Sequence, residues 1–150
     1  MEFITEIFSN KMLISALVGW FAAQFLKVIF VMLEHRKFDF RRFIGSGGMP
    51  SSHSAFVVAL TTAVGFEEGL RSAAFAICVV LSFVVMYDAS GVRRAAGEQA
   101  EVLNQVVENM GSDEIETDGE KLKELLGHTP FEVFAGAIVG VLVVVIFYLV

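Results

Sequence analysis

Four apolar runs, at residues 11–33, 55–66, 72–87 and 131–150, leave this chain few ways to fold. Lipid offers backbone N–H and C=O groups no partner, so a crossing segment must satisfy them internally as a helix of about 20 residues. The first and last runs meet that length, although Gln24 and Lys27 interrupt the first. The third is apolar throughout. The second is roughly 18 Å long as a helix, so it is expected to begin below the membrane interface, near Ser51. Composition agrees: 55% of residues are hydrophobic, 15 are Phe and only 19% are charged, against about a quarter in a soluble domain. The expected fold is an all-α integral membrane helical bundle of four spanning helices plus a polar cytoplasmic helix, with residues 1–150 forming a single membrane-embedded domain.

The polar helix is expected over residues 92–108, where Ala95, Ala96, Val102, Leu103 and Val106 recur at helical spacing. The net charge of −6 comes largely from residues 98–124, and within them the acidic, glycine-bearing stretch 111–119 reads as mobile. With 11 Lys and Arg and no basic face interleaved with exposed aromatics, nucleic acid is excluded as a partner. The single cysteine, Cys78, lies in an apolar run and reads as a small buried residue with no intrachain disulfide. No basic N-terminal region precedes a small-residue cleavage site, so no removable signal peptide is expected. Lys and Arg placement sets the topology. Arg36, Lys37, Arg41 and Arg42 follow the first run, and Arg93, Arg94, Lys121 and Lys123 follow the third, whereas the turn between the second and third runs holds only Arg71. The rule that basic loops stay inside then puts both connectors in the cytoplasm and both termini outside.

Chemistry concentrates beside those two connectors. Residues 47–55 read Gly47-Gly48-Met49-Pro50-Ser51-Ser52-His53-Ser54-Ala55. Gly48 leaves backbone N–H groups accessible, Ser51 and Ser52 add donors, and His53 can carry a proton near neutral pH. A helix beginning near Pro50 would aim its N-terminus at the same spot, which suits an anion such as phosphate. In the second connector, His128 stands in Leu126-Gly127-His128-Thr129-Pro130-Phe131-Glu132. Two arrangements are open there. Either Thr129 caps a helix starting at Pro130, or the helix includes His128 and Glu132 holds its imidazole from one turn on. Asp88 ends the third run and needs a partner, for which Arg93 and Arg94 are the natural choices; an arginine fork also fits a phosphate. Lys27 lies too deep to snorkel easily but close enough to one end to reach a buried anion, with Gln24 on the same face. His35, among charged residues, reads as solvated. Gly136 and Gly140 allow close helix approach, within the chain or in a dimer.

These blocks together resemble the small, divergent branch of the type 2 phosphatidic acid phosphatase superfamily, which includes bacterial acid phosphatases and vanadium haloperoxidases. Pro50-Ser51-Ser52-His53 resembles the superfamily's Pro-Ser-Gly-His, with Ser52 replacing glycine, and His128 with Glu132 resembles the His-x3-Asp that closes its third motif. The resemblance implies that His128 is a nucleophile forming phosphohistidine, that Glu132 orients it, and that His53 protonates the leaving group. Ser51, Ser52 and nearby backbone N–H groups would hold the phosphate oxygens, with no metal and no cofactor. Leu122 stands six residues before His128, where the superfamily has arginine, so that role falls to Arg93 or Arg94. Lys27 stands in for the first motif's lysine. Membrane enzymes of the superfamily have six helices, so a homodimer would complete the bundle.

The expected function is a lipid-phosphate phosphatase of the cell membrane, acting at the cytoplasmic face on a phospholipid or isoprenyl phosphate. Two alternatives stand beside it. One is a non-catalytic lipid-phosphate-binding membrane protein. The other is a metal-dependent phospholipid phosphotransferase, to which Asp88-x2-Gly91-x2-Arg94 bears a faint likeness, with Glu98 and Glu101 where further aspartates would stand.

Overall fold

The computed structural model describes residues 2–35, 48–110, 122 and 127–149, so the basic residues 36–42, Gly47, Lys121, Lys123 and the acidic stretch 111–120 lie outside the described residues. The described residues form six helices: α1 (Glu2–Ser9), α2 (Lys11–His35), α3 (Ser52–Glu67), α4 (Ala73–Ser90), α5 (Val92–Met110) and α6 (Pro130–Leu149). Among the described residues, three stretches are long and apolar enough to cross a membrane: Lys11–Leu33 in α2, the α4–α5 stretch Ala73–Glu108, and Pro130–Leu149 in α6. The sequence suggested four crossings. At 16 residues, α3 falls short of the usual length.

Side-chain oxygens mark where most of the helices begin. Asn10 Oδ1 accepts from Leu13 N at 3.1 Å to open α2, and Ser72 Oγ accepts from Phe75 N at 3.1 Å to open α4. Ser51 is the N-cap of α3, its hydroxyl accepting from Ser54 N at 3.4 Å. Pro50 therefore lies outside the helix and not at its first position, because the cap that satisfies the first turn comes from Ser51. Thr129 caps α6 and Pro130 takes its first position.

The short helix α3 is the centre of the bundle, packed against α2, α4 and α6. Its buried residues are almost all small: Ser52, Ser54, Ala55, Val57, Ala59, Ala63 and Val64. Small side chains let neighbouring backbones come close, which matters in lipid because no hydrophobic force drives helices together there. A Cβ at Gly19 of α2 would fall 2.7 Å from the Ala59 methyl, and one at Gly140 of α6 would fall 2.6 Å from the Ala55 carbonyl oxygen. One at Gly136 would collide with the Ser51 carbonyl oxygen. The Gly136/Gly140 pair thus receives α3 of the same chain. On the α4 side, Thr61 Oγ1 and Ser82 Oγ lie 2.8 Å apart, Thr61 also donates to the Cys78 carbonyl at 3.1 Å, and Ser82 donates to the Val57 carbonyl at 3.1 Å. Cys78 itself is half-buried on the flank of α4, not in the core as its apolar setting suggested.

Contacts at the two ends fix helix direction. Tyr148 Oη donates to Glu67 Oε1 at 2.9 Å, with Lys11 Nζ 3.9 Å from the same oxygen, so the start of α2 and the ends of α3 and α6 share one end. At the other end, Ser51 N donates to the Glu132 carbonyl at 3.0 Å, and His128 N donates to the Ala89 carbonyl at 2.9 Å. There α3 and α6 begin while α2 and α4 finish. Helix α5 leaves α4 at Gly91 and packs on α4 alone among the described helices. Its Gly97, Ala100 and Asn104 are buried, while Val102, Leu103 and Val106 face outward.

Filling the seam between α3 and α6 should be costly. Gly140→Leu is expected to destabilise by roughly 1–3 kcal/mol through overpacking, read as a lower thermal midpoint in detergent. Ile77→Ala, on the outward face of α4, should stay within about 0.5 kcal/mol of the parent.

Candidate active site

The end of the bundle where α3 and α6 begin gathers most of the residues singled out from sequence. His53 is in the first turn of α3, exposed, and His128 lies just before α6 with 4% of its surface exposed. Their ring centroids are 6.5 Å apart, inclined at 59°. Both helices point their N-terminal N–H groups toward this end, which favours negative charge there.

His128 is held by backbone and by ring. Its N–H donates to the Ala89 carbonyl at the end of α4. Gly127 makes this approach possible: it has φ +124°, and a Cβ there would lie 2.5 Å from Arg94 N. Nδ1 of the ring lies 3.3 Å from Glu132 Oε2, and the same oxygen accepts from Thr129 N at 2.9 Å while Glu132 N donates to Thr129 Oγ1 at 3.3 Å. This is a capping box. The first of the two arrangements holds, because the helix begins at Pro130 and leaves His128 outside it, yet Glu132 still reaches back to the imidazole. Burial pushes the His128 pKa below its ordinary value of 6.5, helped by the charges of Lys27 and His53, while the hydrogen bond and charge of Glu132 pull the other way.

Lys27 is 3% exposed on α2, with Gln24 buried on the same face. Its charge acts on Glu132 and on both histidines. Gly48, at φ +85°, lies along the Lys27 stem, where a Cβ would sit 3.8 Å from Cγ and Cδ. The two arginines separate. Arg93 Nε donates to Asp88 Oδ2 at 2.6 Å and its charge reaches His53, whereas Arg94 Nε donates to Glu98 Oε1 at 3.0 Å, one turn along α5. Ser52 is buried. Ser51 has its N–H committed to Glu132, and its hydroxyl accepts from Ser54 N and from Ser54 Oγ at 3.1 Å, which leaves its O–H as the one donor to spare. Among the described residues, no three His, Cys, Asp or Glu side chains converge as a metal ion would require. A cavity of about 440 Å³ at the opposite end, lined by Glu6, Ser9, Asn10, Lys11, Met12 and Glu67, shares no residue with the histidine cluster.

Sequence reasoning missed the Ala89 carbonyl and the contact of Gly127 with the start of α5. The glycine directly before His128 was the available signal for the second. Nothing in the side chain of Ala89 marks its carbonyl.

The model of the Divergent PAP2 family matches residues 8–143. The chain belongs to that family. Every residue of the histidine cluster lies within the Divergent PAP2 match. A Bacillus subtilis (strain 168) protein named "Uncharacterized membrane protein YuiD" is 42% identical over 94% of this chain and 96% of its own length. Together with the apolar helices, that relative makes the chain a multi-pass membrane protein of the Divergent PAP2 family. No solved structure matches it.

The Glu132 contact carries a signed prediction. Since its carboxylate raises the His128 pKa against burial, Glu132→Gln should move the His128 titration still further below 6.5. Ring-proton NMR across pH reads this directly, and an upward or absent shift would contradict the assigned contact.

Proposed function

We propose that this chain is a metal-independent lipid-phosphate phosphatase working through a phosphohistidine on His128. The observation that carries the reading is the facing of two imidazoles across one helix-start cluster, one of them held at Nδ1 by a carboxylate. With Nδ1–H donating to Glu132, Nε2 of His128 keeps its lone pair for phosphorus. The first step forms the Nε2–P bond and breaks the P–O bond to the leaving alkoxide, which takes a proton from His53. Water then attacks the phosphohistidine, giving a proton to the now neutral His53. The N–P bond breaks, and phosphate leaves with His128 restored.

Charge builds on the phosphoryl oxygens during both steps, and fixed positive groups stabilise it most where water is scarce. Lys27 and Arg93 supply full charges, while the N-termini of α3 and α6, with Ser51 and Ser52, supply donors. Asp88 engages Arg93 at Nε, which leaves the two terminal nitrogens to fork a phosphate. Arg94, paired with Glu98, takes a peripheral role.

Placement favours a lipid substrate on the cytoplasmic side. Helix α2 ends and α3 and α6 begin at the histidine end, where Arg93 and Arg94 also stand, whereas Lys11 and Arg71 stand at the other. In this arrangement α3 is a short fourth crossing. Phosphatidylglycerophosphate, phosphatidate and isoprenyl diphosphates place a phosphate at that depth. The phosphotransferase alternative fares worse, because Glu98 is already paired with Arg94.

The purified protein should release phosphate from one of these lipids in the presence of chelator and be inhibited by vanadate. His128→Ala should abolish turnover, and His53→Ala should lower it by about 10²–10⁴-fold, the usual range for a general acid. Full turnover by His128→Ala would end the mechanism. Headgroup binding without turnover on any lipid would make this a lipid-phosphate-binding protein instead. The pH profile has a sign as well. Nε2 must be neutral to attack, and burial holds the His128 pKa down, so the acid limb of kcat/KM should fall below 6.5.

A further inference from the structure

Helix α3 meets α2, α4 and α6 on three sides and leaves a fourth uncovered. With about 100° per residue and His53 taken as zero, Val57 and Thr61, which bond to Ser82 of α4, stand at about 40° and 80°. Ser54 and Val58, which face Gly136 and Gly140 of α6, stand at about 100° and 140°. Ala55 and Ala59, which face Gly19 of α2, stand at about 200° and 240°. The sector from about 300° round to His53 holds Phe56 and Leu60. Both are half-buried, and among the described residues no Cα of α2 comes within 8 Å of one in α4. A groove therefore runs along α3 between α2 and α4, with Phe56 and Leu60 on its floor and the exposed His53 at its mouth.

We propose that this groove holds the hydrocarbon chain of the lipid phosphate, admitted sideways from the bilayer between α2 and α4. Its chemistry is continuous with the lipid. Below His53 the floor is apolar, whereas Ser54, Thr61 and Thr62 stand on the other sides of α3. Its depth fits as well. Leu60 lies roughly 10 Å along the axis from His53. Ala63, roughly 15 Å along, is fully buried, and Met12 of α2 packs against the cluster it forms with Ala59 and Val144. The groove thus closes at about half the thickness of the hydrocarbon core, the depth of one leaflet.

Recess separates this face from the general lipid-facing surface. Phe21 and Phe25 of α2 and Phe83 of α4 are exposed, as outward residues of a bundle in lipid are, whereas Phe56 sits half-buried on the central helix, three residues from His53. A chain lying over Phe56 brings its phosphate ester to the start of α3, where the charges of Lys27 and Arg93 reach His53 and the His128 ring stands across from it. A water-soluble phosphate has nothing to place in the groove. The apolar floor therefore selects for lipid by the chain, and the histidine end by the phosphate.

The inference rests on the lipid-phosphatase reading, so its test has one arm that needs no turnover. In phosphatidylcholine nanodiscs, a phosphatidate with a diazirine in one acyl chain should label Phe56, Leu60 or their α3 neighbours several-fold more than phosphatidylcholine bearing the same chain. Unlabelled phosphatidate should remove the excess. Equal labelling by the two probes would mark an ordinary lipid-facing surface and overturn the proposal. Leu60→Trp, which fills the groove, should lower the ratio of kcat/KM for dioleoyl over dibutyryl phosphatidate by roughly tenfold, within the range set by small changes in an apolar pocket. An unchanged ratio in the folded variant would also overturn the proposal. If that variant fails to fold, labelling of the parent decides. Selective labelling without phosphate release keeps the groove and ends the phosphatase reading, whereas hydrolysis of dibutyryl phosphatidate with equal labelling does the reverse.

Discussion

The Glu132 carboxylate serves the fold and the histidine with the same oxygen. Oε2 accepts from Thr129 N, which closes the first turn of α6, and it also holds Nδ1 of His128. The Glu132 carbonyl meanwhile accepts from Ser51 N, the cap of α3. Helix α6 therefore cannot begin correctly without placing the imidazole, and α3 cannot begin correctly without α6. A protein with so small a buried core gains from that economy, because a group that carries several contacts is harder to displace than several groups with one each.

The seam between α3 and its neighbours keeps this arrangement in register. Gly19, Gly136 and Gly140 bring backbone against backbone, and only alanine, serine or valine fills the facing side of α3. At such distances a helix cannot slide by a turn without collision. The histidine end and the Glu67–Tyr148 end are thereby held at opposite ends of one rigid column, and the spacing of His53 from His128 follows from where α3 and α6 start.

Much of this was legible in the sequence, for identifiable reasons. The apolar runs at 11–33, 72–87 and 131–150 found α2, α4 and α6, because lipid imposes a length and a composition that no soluble segment matches. The amphipathic spacing found α5. The start of α3 near Pro50 and Ser51 was legible because Ser51 provides the cap that decides it. Thr129, Pro130 and Glu132 were read as competing clues when they are parts of one capping box. The sequence did not separate Arg93 from Arg94, since adjacent helical residues diverge by about 100° and both had acidic partners within reach. Long-range grips, such as Asn104 on Leu122, leave no local pattern at all.

The missing arginine at position 122 takes on a physical meaning in this light. A basic side chain there would lie close to the α5 surface that Asn104 occupies, and Leu122 instead contributes only its backbone to that contact. The positive charge near His53 comes from Lys27 of α2 and from Arg93, which stands at the start of α5 and is steadied by Asp88 at the end of α4. The α4–α5 arm thus carries both Arg93 and the Asn104 contact with Leu122.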